Sequence, residues 1–278
     1  SWRRDFTINA LYYDAHEGQL RDITNGMPDL EQRILRLIGD PLTRYQEDPV
    51  RMIRAIRFAA KLDFTIEPHT AEPIARLAPL LQHISPSRLF DEVIKSYQCG
   101  YAKKVHALFI QHTLFQQLFP QVLHPGSNPL IALALESTDA RIQLNKPVTP
   151  AFLFAVLLWF PLQAQLKICQ KKSDIPFLEA LEKAMSIVLT AQSRKTSIPR
   201  RFLQIIREIW LLQYRFPKRL GTRAQHLLSH ARFRAAYDML ALRALSGDAP
   251  AELADWWTRF QEVSPEAQQH MVQALTPP

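Results

Sequence analysis

The sequence predicts a mainly α protein with one short β-hairpin near its start, and three observations predict it. Strand-type segments, LYYDA and QLRDI, occur only early and flank the turn-prone HEG. From Asp29 onward apolar residues recur at the three- and four-residue spacing of a helix face. The composition, 47% hydrophobic and 22% charged over 278 residues, supplies ample material for a core and excludes a wholly disordered chain. No heptads, solenoid-length repeat or low-complexity tract competes with this reading.

The elements follow in order. The hairpin covers about Leu11–Ile23, with Asn25-Gly26 after it. Pro28-Asp29 opens a short helix on which Leu30 and Ile34, four apart, share a face. Asp48 is a favoured N-cap type and Pro49 suits the first helical position, so EDPVRMIRAIRFAAKL predicts a capped helix. Its apolar stripe is Val50, Ile53, Ile56 and Ala60. SPSRLFDEVIKSY carries Leu89, Val93 and Tyr97 on one face and stops at Gly100. Further helices are expected near 102–119, 151–168 and 176–192, while 120–150, with prolines at 120, 125, 129, 147 and 150, is the most interrupted region. The longest apolar run, Ala151 to Phe160, falls well short of the about 20 residues of a bilayer span, so a buried helix and no membrane partner are expected.

Two cysteines, Cys99 and Cys169, make no disulfide framework and no C-x-x-C pair, which points to a reducing, cytoplasmic setting. His226 and His230 in HLLSH have helical ligand spacing but lack the zincin glutamate, so an ordinary basic helix is expected there. The net charge of +8 is unevenly spread. Residues 194–234 hold eleven Lys/Arg and one acid, Glu208, whereas 235–278 hold two basic and six acidic residues. On PRRFLQIIREIWLLQY the residues Arg200, Arg201, Gln204, Arg207 and Glu208 share one side, opposite Phe202, Ile205, Ile206, Ile209 and Trp210. With Lys218 and Arg219 beyond the helix, this is a candidate phosphate-binding segment, giving affinity without sequence readout; a merely solvated basic helix is the alternative. Of Trp256 and Trp257, neighbours that point in different directions, at least one is expected in the core.

Two short stretches are chemically dense. In SWRRDFTINALYYD, Arg3 and Arg4 read as surface charge and Asp5 as a cap or ion-pair partner. Alternatively, Asp5 ligates Mg²⁺ with other carboxylates while Arg4 holds triphosphate oxygens. In the 47–62 stretch, Arg51 and Arg54 lie one turn apart on nearly the same face. They are either solvated, or Asp48 and Arg51 serve as acceptor and planar donor for a nucleobase edge with Arg54 on a phosphate.

The order of these pieces decides between the readings. RRDFTINALYYD, RDITNGMPDLEQRILRLIGDP, RYQEDPVRMIRAIRFAAKL and SRLFDEVIKSYQCGY together resemble the tRNA nucleotidyltransferase/poly(A) polymerase family over about the first 120 residues. The resemblance implies a β-hairpin remnant of a nucleotidyltransferase head at 1–26, a helical neck at 27–105, and a helical, RNA-binding body and tail at 106–278. It implies that Asp5 is the late, metal-binding carboxylate of the head, supported by Asn9. Arg4 and Arg54 would bind the triphosphate, Asp48 and Arg51 would face the base, and Arg88 and Glu92 would be structural. GYAKKVHALFIQHTLFQQLFP, TPAFLFAVLLWFPL, SIPRRFLQIIREIWLLQYR, HARFRAAYDMLALRA and ADWWTRFQ resemble the bacterial poly(A) polymerase branch rather than CCA-adding enzymes.

That branch implies transfer of AMP from ATP to an RNA 3′ end with Mg²⁺. A helical RNA-binding relic without catalysis and a CCA-adding enzyme are the alternatives. Adenine and cytosine offer Asp48 and Arg51 a similar amino-donor and ring-acceptor pattern, so these two residues do not explain a preference for ATP over CTP. The family's Gly-Gly turn and Asp-x-Asp pair do not occur among these residues, whose first methionine is Met27. A fragment lacking part of the head is therefore expected, and the final QALTPP suggests that an arginine-rich tail is absent too.

Overall fold

The computed structural model describes residues 3–172 and 175–275. It is mainly helical, with sixteen α-helices, two two-stranded sheets and a few 3-10 turns among the described residues. The chain divides into two compact units, one formed by residues 1–121, 138–146 and 191–197, the other by 122–137, 147–190 and 198–278.

In the first unit, β1 (Leu11–Asp14) pairs antiparallel with β2 (Gln19–Asp22), Leu11 opposite Asp22 and Asp14 opposite Gln19. Asp22 then organises the turn. Its carboxylate accepts from the backbone N–H of Gly26 and of Met27, both at 2.8 Å, and so caps α1 (Gly26–Glu31). Gly26 lies against the backbone of Thr7, where a β-carbon would come within 2.4 Å of the Thr7 carbonyl oxygen, so only glycine fits.

Ile34 is not on this helix, contrary to expectation. Arg33 takes a left-handed φ of 55°, and Ile34–Leu35 becomes β3, paired parallel with β4 (Thr65–Ile66). Such two-residue strands carry too little alternation to be read from sequence. The helices α2 (Pro41–Glu47), α3 (Val50–Leu62), α4 (Pro68–Leu77), α5 (Pro86–Tyr97), α6 (Ala102–Gln111) and α7 (Leu114–Leu118) complete this part. The predicted stripe of α3 is buried, Val50 at 1% exposure and Ile53, Ile56 and Ala60 at 0%. On α5, Leu89, Val93 and Tyr97 are buried as well. The single helix expected over 102–119 breaks at Thr113, whose φ is 59°.

The proline-interrupted region contains a full helix, α8 (Pro129–Gln143). Pro129 and Pro150 stand at helix starts, where a missing N–H costs nothing, so they begin α8 and α9 (Pro150–Leu157) instead of breaking them. The second unit's core gathers α9, α10 (Trp159–Lys172), α11 (Phe177–Ser193), α12 (Arg200–Arg215), α13 (Arg223–Leu228), α14 (Phe233–Leu245), α15 (Ala251–Glu262) and α16 (Pro265–Gln273). Phe154, Trp159, Trp210, Phe216, Trp257 and Phe260 are its largest fully buried side chains. Their polar atoms are satisfied, since Trp210 Nε1 donates to the Ala155 carbonyl at 2.9 Å and Trp257 Nε1 to that of Phe216 at 3.1 Å. No single described helix is long and apolar enough to cross a membrane. The pair α9 and α10, bent by 53°, passes on length and composition only, and the residues of α9 are mostly buried.

Candidate functional site

The opening segment is held in place by backbone pairing. Ile38 N–H donates to the Asp5 carbonyl at 2.9 Å and Thr7 N–H to that of Arg36 at 3.1 Å, which lays residues 5–7 against 36–38. Arg44 adds a bond from Nη2 to the Arg4 carbonyl at 2.9 Å. The result is that Asp5 stands beside α3, and Arg54 Nε donates to Asp5 Oδ2 at 2.6 Å. Asp5 Oδ1 accepts from Asn9 Nδ2 at 3.1 Å and from Phe6 N–H at 3.0 Å. Burial pushes the Asp5 pKa up, but the Arg54, Asn9 and Phe6 donors outweigh it and hold the carboxyl below its ordinary range. The support that the resemblance assigns to Asn9 is thus a direct hydrogen bond.

Asp48 has the extended backbone of a capping residue, with φ −146° and ψ 91°, and Oδ1 accepts from Val50 N–H at 3.3 Å. Its other oxygen accepts from Arg88 Nη2 at 2.8 Å. Arg88, assigned only a structural part, is therefore the partner that orients Asp48. Arg51 does not pair with Asp48. Its Nη1 donates to the Arg44 carbonyl at 2.6 Å and to Glu47 Oε2 at 3.1 Å. Glu92 is buried against Lys95 at 2.9 Å and Arg57 at 3.6 Å. Arg4 is exposed, and the Tyr12 hydroxyl raises its pKa.

These side chains line one polar concavity of about 250 Å³. Five arginines, Arg3, Arg4, Arg51, Arg54 and Arg88, face three carboxylates there, Asp5, Asp48 and Glu92. Of the five residues expected to bind the nucleotide, four, Arg4, Asp48, Arg51 and Arg54, are on its wall, and the fifth, Asn9, reaches it only through its hydrogen bond to Asp5. The net positive charge suits an anionic ligand.

The expected RNA-binding residues are distributed over α12 and the loop after it. Arg200 and Arg201 are exposed at the start of α12, Arg207 is half-buried, and Lys218 is exposed. Glu208, the one acid of the basic segment, is taken up by Arg232 at 3.1 Å and by Gln204 at 2.9 Å. Arg219 departs from the others, since its guanidinium lies 4.9 Å over the Trp256 ring and burial lowers its pKa. Trp256 and Trp257 are both buried, at 7% and 0%, so neither is available to stack on a base. His226 and His230 belong to no cluster of three His, Cys, Asp or Glu among the described residues.

Three family models match the chain. "Poly A polymerase head domain" matches residues 1–36, "Probable RNA and SrmB- binding site of polymerase A" matches 63–124, and "Polymerase A arginine-rich C-terminus" matches 173–278. Poly(A) polymerase I of Escherichia coli O6:H1 is 46% identical over 98% of the chain. The chain belongs to the bacterial poly(A) polymerase I family. It spans 61% of the length of that Escherichia coli relative.

The poly(A) polymerase match at 173–278 corrects the expectation that the arginine-rich region is absent; the basic α12 segment lies within it. A CCA-adding enzyme of Streptococcus suis is 48% identical, but over only 37% of the chain and 25% of its own length. The solved Thermotoga maritima CCA-adding enzyme complexed with tRNA shares the fold, with a TM-score of 0.62 and 20% identity over 94% of this chain and 60% of that one.

Proposed function

We propose that this chain carries the nucleotide-recognising and RNA-binding parts of a template-independent polynucleotide adenylyltransferase, which joins AMP from ATP to an RNA 3′ end and releases pyrophosphate. The observation that carries it is the concavity where Asp5 and Arg54, forty-nine positions apart in sequence, meet at 2.6 Å beside Asp48 and Arg51. In this reading residues 1–26 belong to the catalytic head, 27–105 form the neck, and 106–278 form the body and tail. Arg4 and Arg54 bind triphosphate oxygens; Arg54 uses only Nε on Asp5, so its two terminal nitrogens remain for the ligand. Asp48, held by Arg88, accepts from the exocyclic amino group of adenine, and Arg51 donates to the neighbouring ring nitrogen.

Nucleotidyltransferases of this family generally use a divalent metal, and Mg²⁺ is the ion proposed here. The described residues do not complete a site for it. No three metal-ligating side chains cluster, and the Asp5 carboxylate is held by Arg54 and Asn9. Asp5 contributes one carboxylate at most, and the residues argued for above bind and orient substrate. Arg200, Arg201, Arg207 and Lys218 hold RNA phosphates, with Arg219 in a lesser role because Trp256 covers it. A cytoplasmic setting agrees with two unpaired cysteines, Cys99 and Cys169.

CCA addition is the second reading, favoured by the 48% identity of the Streptococcus suis match over 37% of the chain. The test is extension of an unstructured RNA and of a tRNA lacking its 3′ end by the full-length protein, with each of the four nucleotides. Long adenylate tracts on both substrates are expected. Cytidylate and adenylate addition confined to the tRNA would instead establish the CCA-adding activity.

A further inference from the structure

The second unit contains a cleft of about 410 Å³ between the start of α11, the end of α12 and α13. Its size falls within the range of about 300–1,000 Å³ typical of ligand pockets. Its floor is apolar and aromatic, and Phe177 and Leu178 there are 44% and 51% exposed. Tyr214 is fixed beneath them. Its hydroxyl accepts from Gln163 Nε2 at 2.6 Å, its ring lies 5.9 Å from Trp159, and Phe177 meets it edge-on at 5.2 Å. The rim is formed by Arg215, Lys218, Arg223 and His226, all exposed. No carboxylate lines the cleft, and Arg215, Lys218 and Arg223 make no ion pair among the described residues.

An apolar floor inside a ring of unpaired cations selects among ligand chemistries. A purely apolar partner would strip water from the cations without replacing it, which is costly. An acidic partner without a flat apolar group would leave Phe177 and Leu178 in water. A nucleotide satisfies both, its base on the floor and its phosphates at the rim. Chain geometry extends the site. Arg200, Gln204, Arg207, Leu211 and Arg215 follow one another on α12 at three- and four-residue steps, so they form a stripe on one face that ends at the cleft. A free nucleotide has no use for cations at Arg200 and Arg207, whereas successive phosphates of a polynucleotide do.

We infer that this cleft is a base-stacking subsite for single-stranded RNA, with Phe177 as the stacking platform and Lys218 and Arg223 on the flanking phosphates. The inference rests on the RNA-binding reading given above. Because a base contact of this kind uses the ring face, it tolerates any base and works through stacking, with no hydrogen-bond readout.

The test is the affinity of the full-length protein for a labelled oligoadenylate and for an abasic strand of the same length. Phe177→Ala should weaken oligoadenylate binding by roughly tenfold, within the range for loss of one stacked base, and leave the abasic strand unchanged. Phe177→Tyr should retain wild-type affinity. Lys218→Gln with Arg223→Gln should weaken both strands alike and flatten the log–log salt slope by about one unit. The inference is overturned if Phe177→Ala binds both strands as the wild type does, or loses both equally, with an unchanged circular dichroism spectrum. It is also overturned if free ATP displaces oligoadenylate in a Phe177-dependent way, because the cleft then takes a free nucleotide. Absence of oligoadenylate binding by the wild type would remove the RNA-binding reading itself.

Discussion

In the polar concavity of the first unit, Arg54 is held by Asp5 at 2.6 Å, Arg88 by Asp48 at 2.8 Å and Arg51 by Glu47 at 3.1 Å. Around the cleft of the second unit, Arg215, Lys218 and Arg223 meet no carboxylate among the described residues. The difference separates two ways of using the same residue type. Paired guanidiniums lose rotamer freedom before a ligand arrives and present fixed donors, which suits discrimination between bases and the orientation of a triphosphate. Unpaired ones keep their mobility and full charge, which suits phosphates that arrive in no fixed register and gives affinity that falls with salt. Aromatic surface follows the same division: the first unit's Phe58 lies under Arg54 at 5.4 Å, whereas Phe177 remains open to a ligand.

The largest effect that sharpens this contrast is expected at Arg54. Arg54→Ala removes the proposed triphosphate contact and frees Asp5 from its partner, so incorporation should fall about 10²- to 10³-fold, as for loss of one transition-state donor. The loss should be equal for all four nucleotides in steady-state incorporation by the full-length protein. A loss confined to ATP would place Arg54 at the base instead. A smaller effect is expected on α12. Replacing Arg200, Arg201 and Arg207 by Gln removes three charges, so the slope of log affinity against log salt should flatten by about two units if each neutralises one phosphate. An unchanged slope in a folded triple variant would make that face ordinary solvated surface, and the contrast would then rest on the cleft alone.

The two regions were also unequally legible. Asp5, Asp48, Arg51 and Arg54, which line the concavity, are singled out by the family resemblance of their motifs, whereas spacing alone leaves a solvated or capping role equally open. What sequence order concealed was partnership. Nothing in the spacing says that Asp48 turns to Arg88, forty positions on, rather than to Arg51 three positions on, because that depends on how α5 packs against α3. The cleft had no motif at all. Phe177 and Tyr214 lie on different helices, thirty-seven positions apart in sequence, and only tertiary packing brings their rings together and leaves Phe177 exposed. The expectation that at least one of Trp256 and Trp257 lies in the core holds for both, with Phe216 against Trp257 and Phe260 against Trp256. Helix content was readable from period and caps. Proline placement misled at 129, since the residue that breaks a helix interior also starts one.

The central claim is that Asp48 reads the base while its neighbours hold the phosphates. It is tested most directly by incorporation of all four nucleotides by full-length Asp48→Ala. In the proposed binding mode Asp48 would present an acceptor to the amino group of adenine and the same acceptor, repulsively, to the carbonyl oxygen that guanine carries at that position. Removing it should lower the preference for ATP over GTP roughly tenfold, the size of one charged hydrogen bond. The ratio of ATP to CTP should stay nearly constant, because cytosine offers a similar edge. An equal loss with all four nucleotides would contradict the claim and leave Asp48 as no more than the Arg88-tethered cap of α3.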